Sequence, residues 1–331
     1  MRERRMVPQA QFESYYGRQI IKTPTWKTPD VPLYLFLGGM AGSSAVMAEC
    51  AALTGNASLE RITRVIAAGG AGVGTVFLVH DLGRPERFLN MLRVLKVTSP
   101  LSVGSFILAP FSALATASVA SHLTGRLPVL GRLAGVGAAV FGPPLVTYTA
   151  ALLANTAVPA WHEAHRELPF VFAGSGATAA SGMAMLLIPA ASNPPARRLA
   201  IGGAALELAA AELLRKRLGM LAEPYEHGRS GRLMKVASRM TAGAAVVSWI
   251  GRRSRVVSAL CGATYVAASA ITRFGVFEAG LASARDPKYI VIPQRERIAA
   301  RQAGLAQAAE DGPQDHAVEE QHQPGEQHLH S

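Results

Sequence analysis

The sequence predicts an all-α integral membrane protein, with eight transmembrane helices arranged as two four-helix halves. Half of its 331 residues are hydrophobic and only 17% are charged. Apolar stretches of about twenty residues recur along most of the chain, each long enough to cross a bilayer as a helix. The starts of the first and fifth stretches also look alike. Tyr34-Leu-Phe36-Leu-Gly38 parallels Phe170-Val-Phe172-Ala-Gly174, and Met47 and Met183 follow in the same relative place. Four spans separate the copies, which points to two parallel halves.

In chain order, residues 1–30 are polar and broken by Pro24 and Pro29, and they carry Tyr15, Tyr16 and Trp26. They read as a surface arm lying on the membrane or on a partner; interfacial aromatics anchoring the first span are the alternative. Met1-Arg2-Glu3-Arg4-Arg5 is charged, but no apolar run follows before residue 31, so no cleavable signal peptide is expected. The membrane domain covers 31–284. Its spans fall at roughly 32–53, 62–82, 100–123, 132–153, 168–189, 197–214, 233–250 and 256–281, with the sixth and seventh carrying the least signal. Small residues such as Gly38, Gly42, Gly70, Gly74, Gly174 and Gly176 let helix backbones approach closely. The C-terminal region, 285–331, is first basic (Arg285, Lys288, Arg295, Arg297, Arg301). It then becomes a Gln/Glu/His/Ala tail ending near His328 and His330, which has nothing to bury and is expected to be disordered.

The net charge of +11 does not indicate nucleic acid, because the basic residues lie between spans without interleaved aromatics. With the N-terminus, even-numbered loops and C-terminus on one side, that side holds about twenty-two Lys/Arg against about nine on the other. This bias places both termini in the cytoplasm. The odd loops still carry Arg197, Arg198, Arg252, Arg253 and Arg255. Cys50 and Cys261 are too few for an iron–sulphur cluster or a disulfide framework.

The chemistry centres on His80-Asp81-Leu82-Gly83-Arg84-Pro85-Glu86-Arg87, where an apolar helix reaches the membrane surface. Ionisable groups at such depth default to a functional reading. The bland alternative is a helix cap paired with Arg84 or Arg87. Tyr148 lies about one turn from the inner end of span four, and the loop beyond it holds Asn155, Trp161, His162, Glu163 and His165. His162 and His165 are three apart, but the HExxH spacing is absent and no third ligand is evident, so no metal is expected. Haem is also excluded, because no two histidines face each other within spans.

What remains is a set of donors and proton acceptors beside lipid, which fits a quinone or quinol. Its carbonyls want donors such as Tyr, His or Asn, and its reduction takes up two protons with two electrons. An imidazole beside a carboxylate can both donate to a carbonyl and relay a proton. On this reading Asp81 exchanges the proton, His80 relays it, and Tyr148 donates to a quinone oxygen, with His162 and Tyr34 completing the contacts. A proton path through the spans would use Glu49, Glu207, Glu212, Arg239 and Arg273, although structural ion pairing explains these residues equally well. Arg84, Arg87 and Arg93 would dock a partner.

The segment Asp81-Leu82-Gly83-Arg84-Pro85-x-Arg87-Phe88, followed by Ser99-Pro100-Leu101-Ser102-x-Gly104-Ser105, resembles the signature of the polysulphide reductase membrane subunit family (NrfD/PsrC). Tyr34-x-Phe36-x-Gly38-Gly39 and the Trp161-His162 loop fit the same pattern, and the resemblance covers about residues 15–290. It implies an eight-helix, quinone-interacting anchor subunit. It also implies a partner with iron–sulphur clusters (ferredoxin-like) and usually a molybdopterin catalytic subunit beyond that. Family quinone-site roles carry over to Asp81 and to Tyr148. A family Asn and His near the start of span one have no match, and Trp26, Asp30 and Tyr34 occupy that region. Alone, the chain would catalyse nothing. The competing readings are a secondary transporter with intramembrane carboxylates and a purely structural anchor.

Overall fold

In the computed structural model the described residues are 20–84, 86–251 and 254–310, and among them there is no strand. The chain divides into two compact units, Met1–Tyr289 and Ile290–Ser331. The first unit contains helices α1 (Asp30–Leu53), α2 (Ala57–Leu82), α3 (Glu86–Met91), α4 (Pro100–Thr124), α5 (Pro128–Ala154) and α6 (Pro159–Glu163). It continues with α7 (Leu168–Leu187), α8 (Pro194–Leu218), α9 (Glu223–Glu226), α10 (Gly228–Ile250) and α11 (Arg255–Arg285). Helix α12 runs over Lys288–Glu310.

Among the described residues six helices (α1, α2, α4, α5, α7 and α11) are long and apolar enough to cross a membrane. α8 and α10 are helical where the sixth and seventh spans are expected, with 25 and 23 residues, but their cationic turns keep them outside that group. α12 covers the basic segment and continues to Glu310, further than the expected onset of disorder. Tyr15, Tyr16, Pro85, Arg252, Arg253, His328 and His330 lie outside the described residues.

The helix ends follow from local chemistry. The Asn56 side chain accepts from the Leu59 N–H at the start of α2, a conventional N-cap. Pro100 and Pro128 open α4 and α5, where a missing N–H costs nothing. Gly83 ends α2 with φ +72° and donates its N–H to the His80 carbonyl at 3.2 Å.

α1 and α7 form the buried centre. α1 packs on α2, α5 and α7, and α7 packs on α8 and α11; α4 lies against α5, and α10 against α11. Small residues make the closest approaches possible. A Cβ on Gly42 would meet the Gly142 carbonyl oxygen at 2.6 Å, and one on Gly182 would meet that of Gly262 at 2.6 Å. Helices that touch through backbone gain dispersion over their whole length, which matters where no water drives association. Because α1 and α2 run antiparallel, the start of one and the end of the other share a rim. That rim carries the candidate site.

Candidate functional site at the rim of helices one and two

Asp30 is the first residue of α1 and His80 lies in the last turn of α2. Their antiparallel packing brings Nδ1 of His80 to 2.7 Å from Oδ2 of Asp30. The carboxylate is buried at 7% side-chain exposure, while the ring is 70% exposed. A carboxylate only accepts, so Nδ1 carries the proton and Nε2 is left pointing outward as the exchangeable nitrogen. The pair lies along both helix dipoles, with the anion at an N-terminus and the basic ring at a C-terminus.

Asp81 has a different partner. Its Oδ1 accepts the backbone N–H of Lys27 at 2.8 Å, and Lys27 Nζ donates to the His80 carbonyl at 3.2 Å. The segment before α1 is thereby clasped onto the end of α2. Among the described residues neither Arg84 nor Arg87 forms an ion pair with Asp81; Arg87 instead donates to the Leu82 carbonyl at 3.3 Å. The bland capping alternative with Arg84 or Arg87 is not what the geometry contains. Arg84, Arg87 and Arg93 all face outward.

Tyr148 sits half-buried on α5 at the same end of the bundle, against α4. A Cβ on Gly104 would fall 2.1 Å from its ring, so the glycine of the Ser99–Ser105 motif makes room for Tyr148. In the same motif Ser102 accepts from the Lys96 N–H at 3.0 Å and donates to the Val94 carbonyl at 3.2 Å, closing the loop after Arg93. Tyr34 is buried at 3% exposure in the apolar cluster that also includes Leu78.

In the Trp161 loop, His162 and its neighbour have different surroundings. His162 is exposed, with Nδ1 at 3.0 Å from the Ala154 carbonyl. Trp161 is fully buried, donating its indole N–H to the Val276 carbonyl at 2.8 Å and stacking on Trp26 with ring centroids 5.7 Å apart. Tyr225 donates to the Ala160 carbonyl at 3.0 Å, and Ala160 N–H to Ser283 at 3.2 Å. Glu167 is held by Arg217, which also bonds the Glu163 carbonyl; the hydrogen bond from Arg217 keeps the Glu167 carboxyl below its ordinary range. Among the described residues no three His, Cys, Asp or Glu side chains gather into a metal-binding group.

The residues suggested for a proton path do not form one set. Glu49 pairs with Arg64 at 2.7 Å, and Arg64 also binds Glu60 at 2.9 Å and Ser118. His122 lies 3.7 Å from Glu60, and Glu60, Arg64, Ser118 and His122 line a cavity of about 270 Å³ at the end opposite His80. Glu207 is buried on α8 and accepts from Thr272 at 2.8 Å. The adjacent Arg273 is fully buried, donates to the Phe172 carbonyl at 3.0 Å and lies over the Phe172 ring at 3.8 Å. Glu212 and Arg239 require correction. Glu212 is half-exposed and paired with Arg215 and Lys216 on its own helix, and Arg239 is exposed on α10. Five residues turn a helix through about 500°, so Glu207 and Glu212 point in different directions.

Sequence reasoning did not place Asp30 or Lys27 in the site. For Asp30 the signals were its place in the region of the family's Asn and His, and its position, since it opens one helix while His80 closes the next. A further cavity of about 550 Å³, lined by residues including Thr28, Glu223, His227, Arg229 and Arg285, contains none of the expected site residues.

Residues 21–201, more than half of the chain, match the family described as Polysulphide reductase, NrfD. The chain belongs to the NrfD family. No curated protein matched the sequence. The NrfD match spans Lys27, Asp30, His80, Asp81, Gly104, Tyr148 and Trp161, and stops before Glu207 and Arg273. With six apolar helices and NrfD membership, this is a multi-pass membrane protein.

Proposed function

We propose that this chain is the quinone-interacting membrane subunit of a multi-subunit oxidoreductase, exchanging electrons between an iron–sulphur partner and the quinone pool. The observation that carries the proposal is the exposed His80 ring, fixed through Nδ1 on buried Asp30 at the bundle rim. A lipid-soluble carrier reaches such a rim from the side. Quinone reduction consumes two electrons and two protons. The exposed His80 ring passes a proton from Nε2 to a carbonyl oxygen and is reprotonated from water, while Asp30 holds the ring in place through Nδ1. Tyr148 donates a hydrogen bond to the second oxygen, which takes its proton from water at the exposed rim. Asp81 holds the Lys27 segment over this end, so its role is positional as well as electrostatic. Electrons come from, or go to, a partner cluster docked near Arg84, Arg87 and Arg93, with a molybdopterin catalytic subunit beyond it.

In this reading α8 and α10 also cross the membrane, giving eight spans. The packing supports this, because α8 and α10 meet α7 and α11 in the way that α2 and α4 meet α1 and α5. Both termini are cytoplasmic, in keeping with the Lys/Arg bias.

The test is quinone-dependent turnover of the whole complex. His80→Gln should lower it by at least about 100-fold, the usual worth of a positioned general acid. Assembly and activity with a water-soluble electron acceptor or donor should be unchanged. Asp81→Ala should also abolish quinone turnover while the complex still assembles. Wild-type quinone turnover in His80→Gln would overturn the proposal.

A further inference from the structure

α10 carries Arg229, Arg232, Lys235 and Arg239 and no acidic residue over its 23 positions. Arg229 is engaged by Glu278 at 3.3 Å. Arg232, Lys235 and Arg239 are exposed and share one stripe of the helix, at positions i, i+3 and i+7. Further along the same stripe the exposed residues become apolar: Gly243, Val246 and Ile250, with Val247 and Trp249 flanking. The buried face, including Ala237, Thr241 and Ala244, packs into the bundle, so the graded stripe faces away from the rest of the chain.

From this gradient we infer that the exposed face of α10 is a binding site for phospholipids with anionic headgroups, held by Arg232, Lys235 and Arg239. The inference rests on α10 crossing the membrane, as proposed above. Arg232 and Trp249 are 17 residues apart, about 25 Å along a helix, close to the ~30 Å thickness of a hydrocarbon core. Trp249, 71% exposed, sits where an aromatic anchor belongs at one interface, and the cations cluster toward the other. Lys235 and Arg239, one and two turns inside Arg232, extend their stems along the helix and lift their charges to the headgroups. Uncompensated cations at that depth are costly, and lipid phosphates provide the missing counter-charge. A change from basic to apolar along one stripe follows the polarity gradient of a bilayer. A protein partner would give no reason for that order.

The experiment counts lipid bound to the intact complex in non-ionic detergent, after equilibration with mixed phosphatidylglycerol and phosphatidylcholine micelles. Wild type should retain phosphatidylglycerol in preference to phosphatidylcholine. Each cation near a headgroup contributes about fivefold, so Arg232→Gln/Lys235→Gln/Arg239→Gln should weaken retention on the order of 100-fold. The charge-preserving Arg232→Lys/Arg239→Lys variant should keep it, which separates charge from folding. Equal retention by wild type and the triple variant, or no preference in wild type, overturns the inference. So does release of an acidic membrane protein by the triple variant with lipid retention unchanged. A separate readout tests the span: Gly243→Cys in intact membranes should resist an impermeant maleimide. Labelling there would overturn the eight-span reading and the lipid site with it, whereas protection with no lipid preference would overturn the lipid site alone.

Discussion

The two ends of α2 both bring charged side chains together, but with different chemistry. At one end, buried Asp30 meets an exposed imidazole at 2.7 Å. At the other, Arg64, 5% exposed, is gripped by Glu49 at 2.7 Å and Glu60 at 2.9 Å. A guanidinium does not give up its proton in a protein, so Arg64 with Glu49 and Glu60 is a fixed charge network that fastens α1 to α2, and the His122 imidazole stands 3.7 Å from Glu60 at its edge. The His80 imidazole has a second nitrogen beyond the one bonded to Asp30, so the first cluster has a route by which a proton could pass outward. Proximity of acids and bases does not identify a proton-handling site. What distinguishes the two ends is whether the acid's main partner is a guanidinium or an exposed imidazole.

The contrast can be broken by experiment. Arg64→Met should give the largest stability loss, about 3–5 kcal/mol, because it strands Glu49 and Glu60 without a counter-charge. Thermal melting of the purified protein measures this, and an unchanged midpoint would mean the network is not structural. Asp30→Asn should leave melting nearly unchanged. It should lower quinone turnover about tenfold or more, since the amide still bonds His80 but carries no charge to balance the ring during proton transfer. If Asp30→Asn instead melts like Arg64→Met, the two ends are alike and the distinction fails.

Smaller effects sharpen the same picture. Trp161→Phe removes the indole bond to the Val276 carbonyl and should cost about 1–3 kcal/mol. Hydrogen exchange should then quicken around residues 159–167, where the loop is anchored. Glu167→Gln should cost at most about 1 kcal/mol at neutral pH. The Glu167 carboxyl is held below its ordinary range, so its contribution is present above the unfolded value and lost as pH falls through the lowered one. The difference in melting between wild type and Glu167→Gln should therefore shrink in acid below about pH 4.

Much of this was legible in the sequence. The six apolar helices follow from hydropathy and length, and the Gly83 and Pro100 punctuation follows from dihedral preference. His80 and Asp81 stood out because charge at membrane depth is costly. Asp30 did not, because fifty residues separate it from His80 and only the antiparallel pairing of α1 and α2 joins them. Glu212 and Arg239 misled for a related reason. Counting residues from a helix end gives depth but not azimuth, and both side chains turn outward. Trp161 was overshadowed by His162 because a tryptophan in a loop resembles a membrane anchor until a tertiary partner such as Val276 is seen.

The clasp at Lys27 has an evolutionary corollary. Asp81 binds the main-chain amide at position 27, a group that every amino acid except proline provides. Substitutions there can accumulate freely, with only the stem's reach to the His80 carbonyl forfeited, while the strap across the rim of α1 and α2 endures. Comparison of homologues would then mark Asp81 as invariant and leave its counterpart unseen.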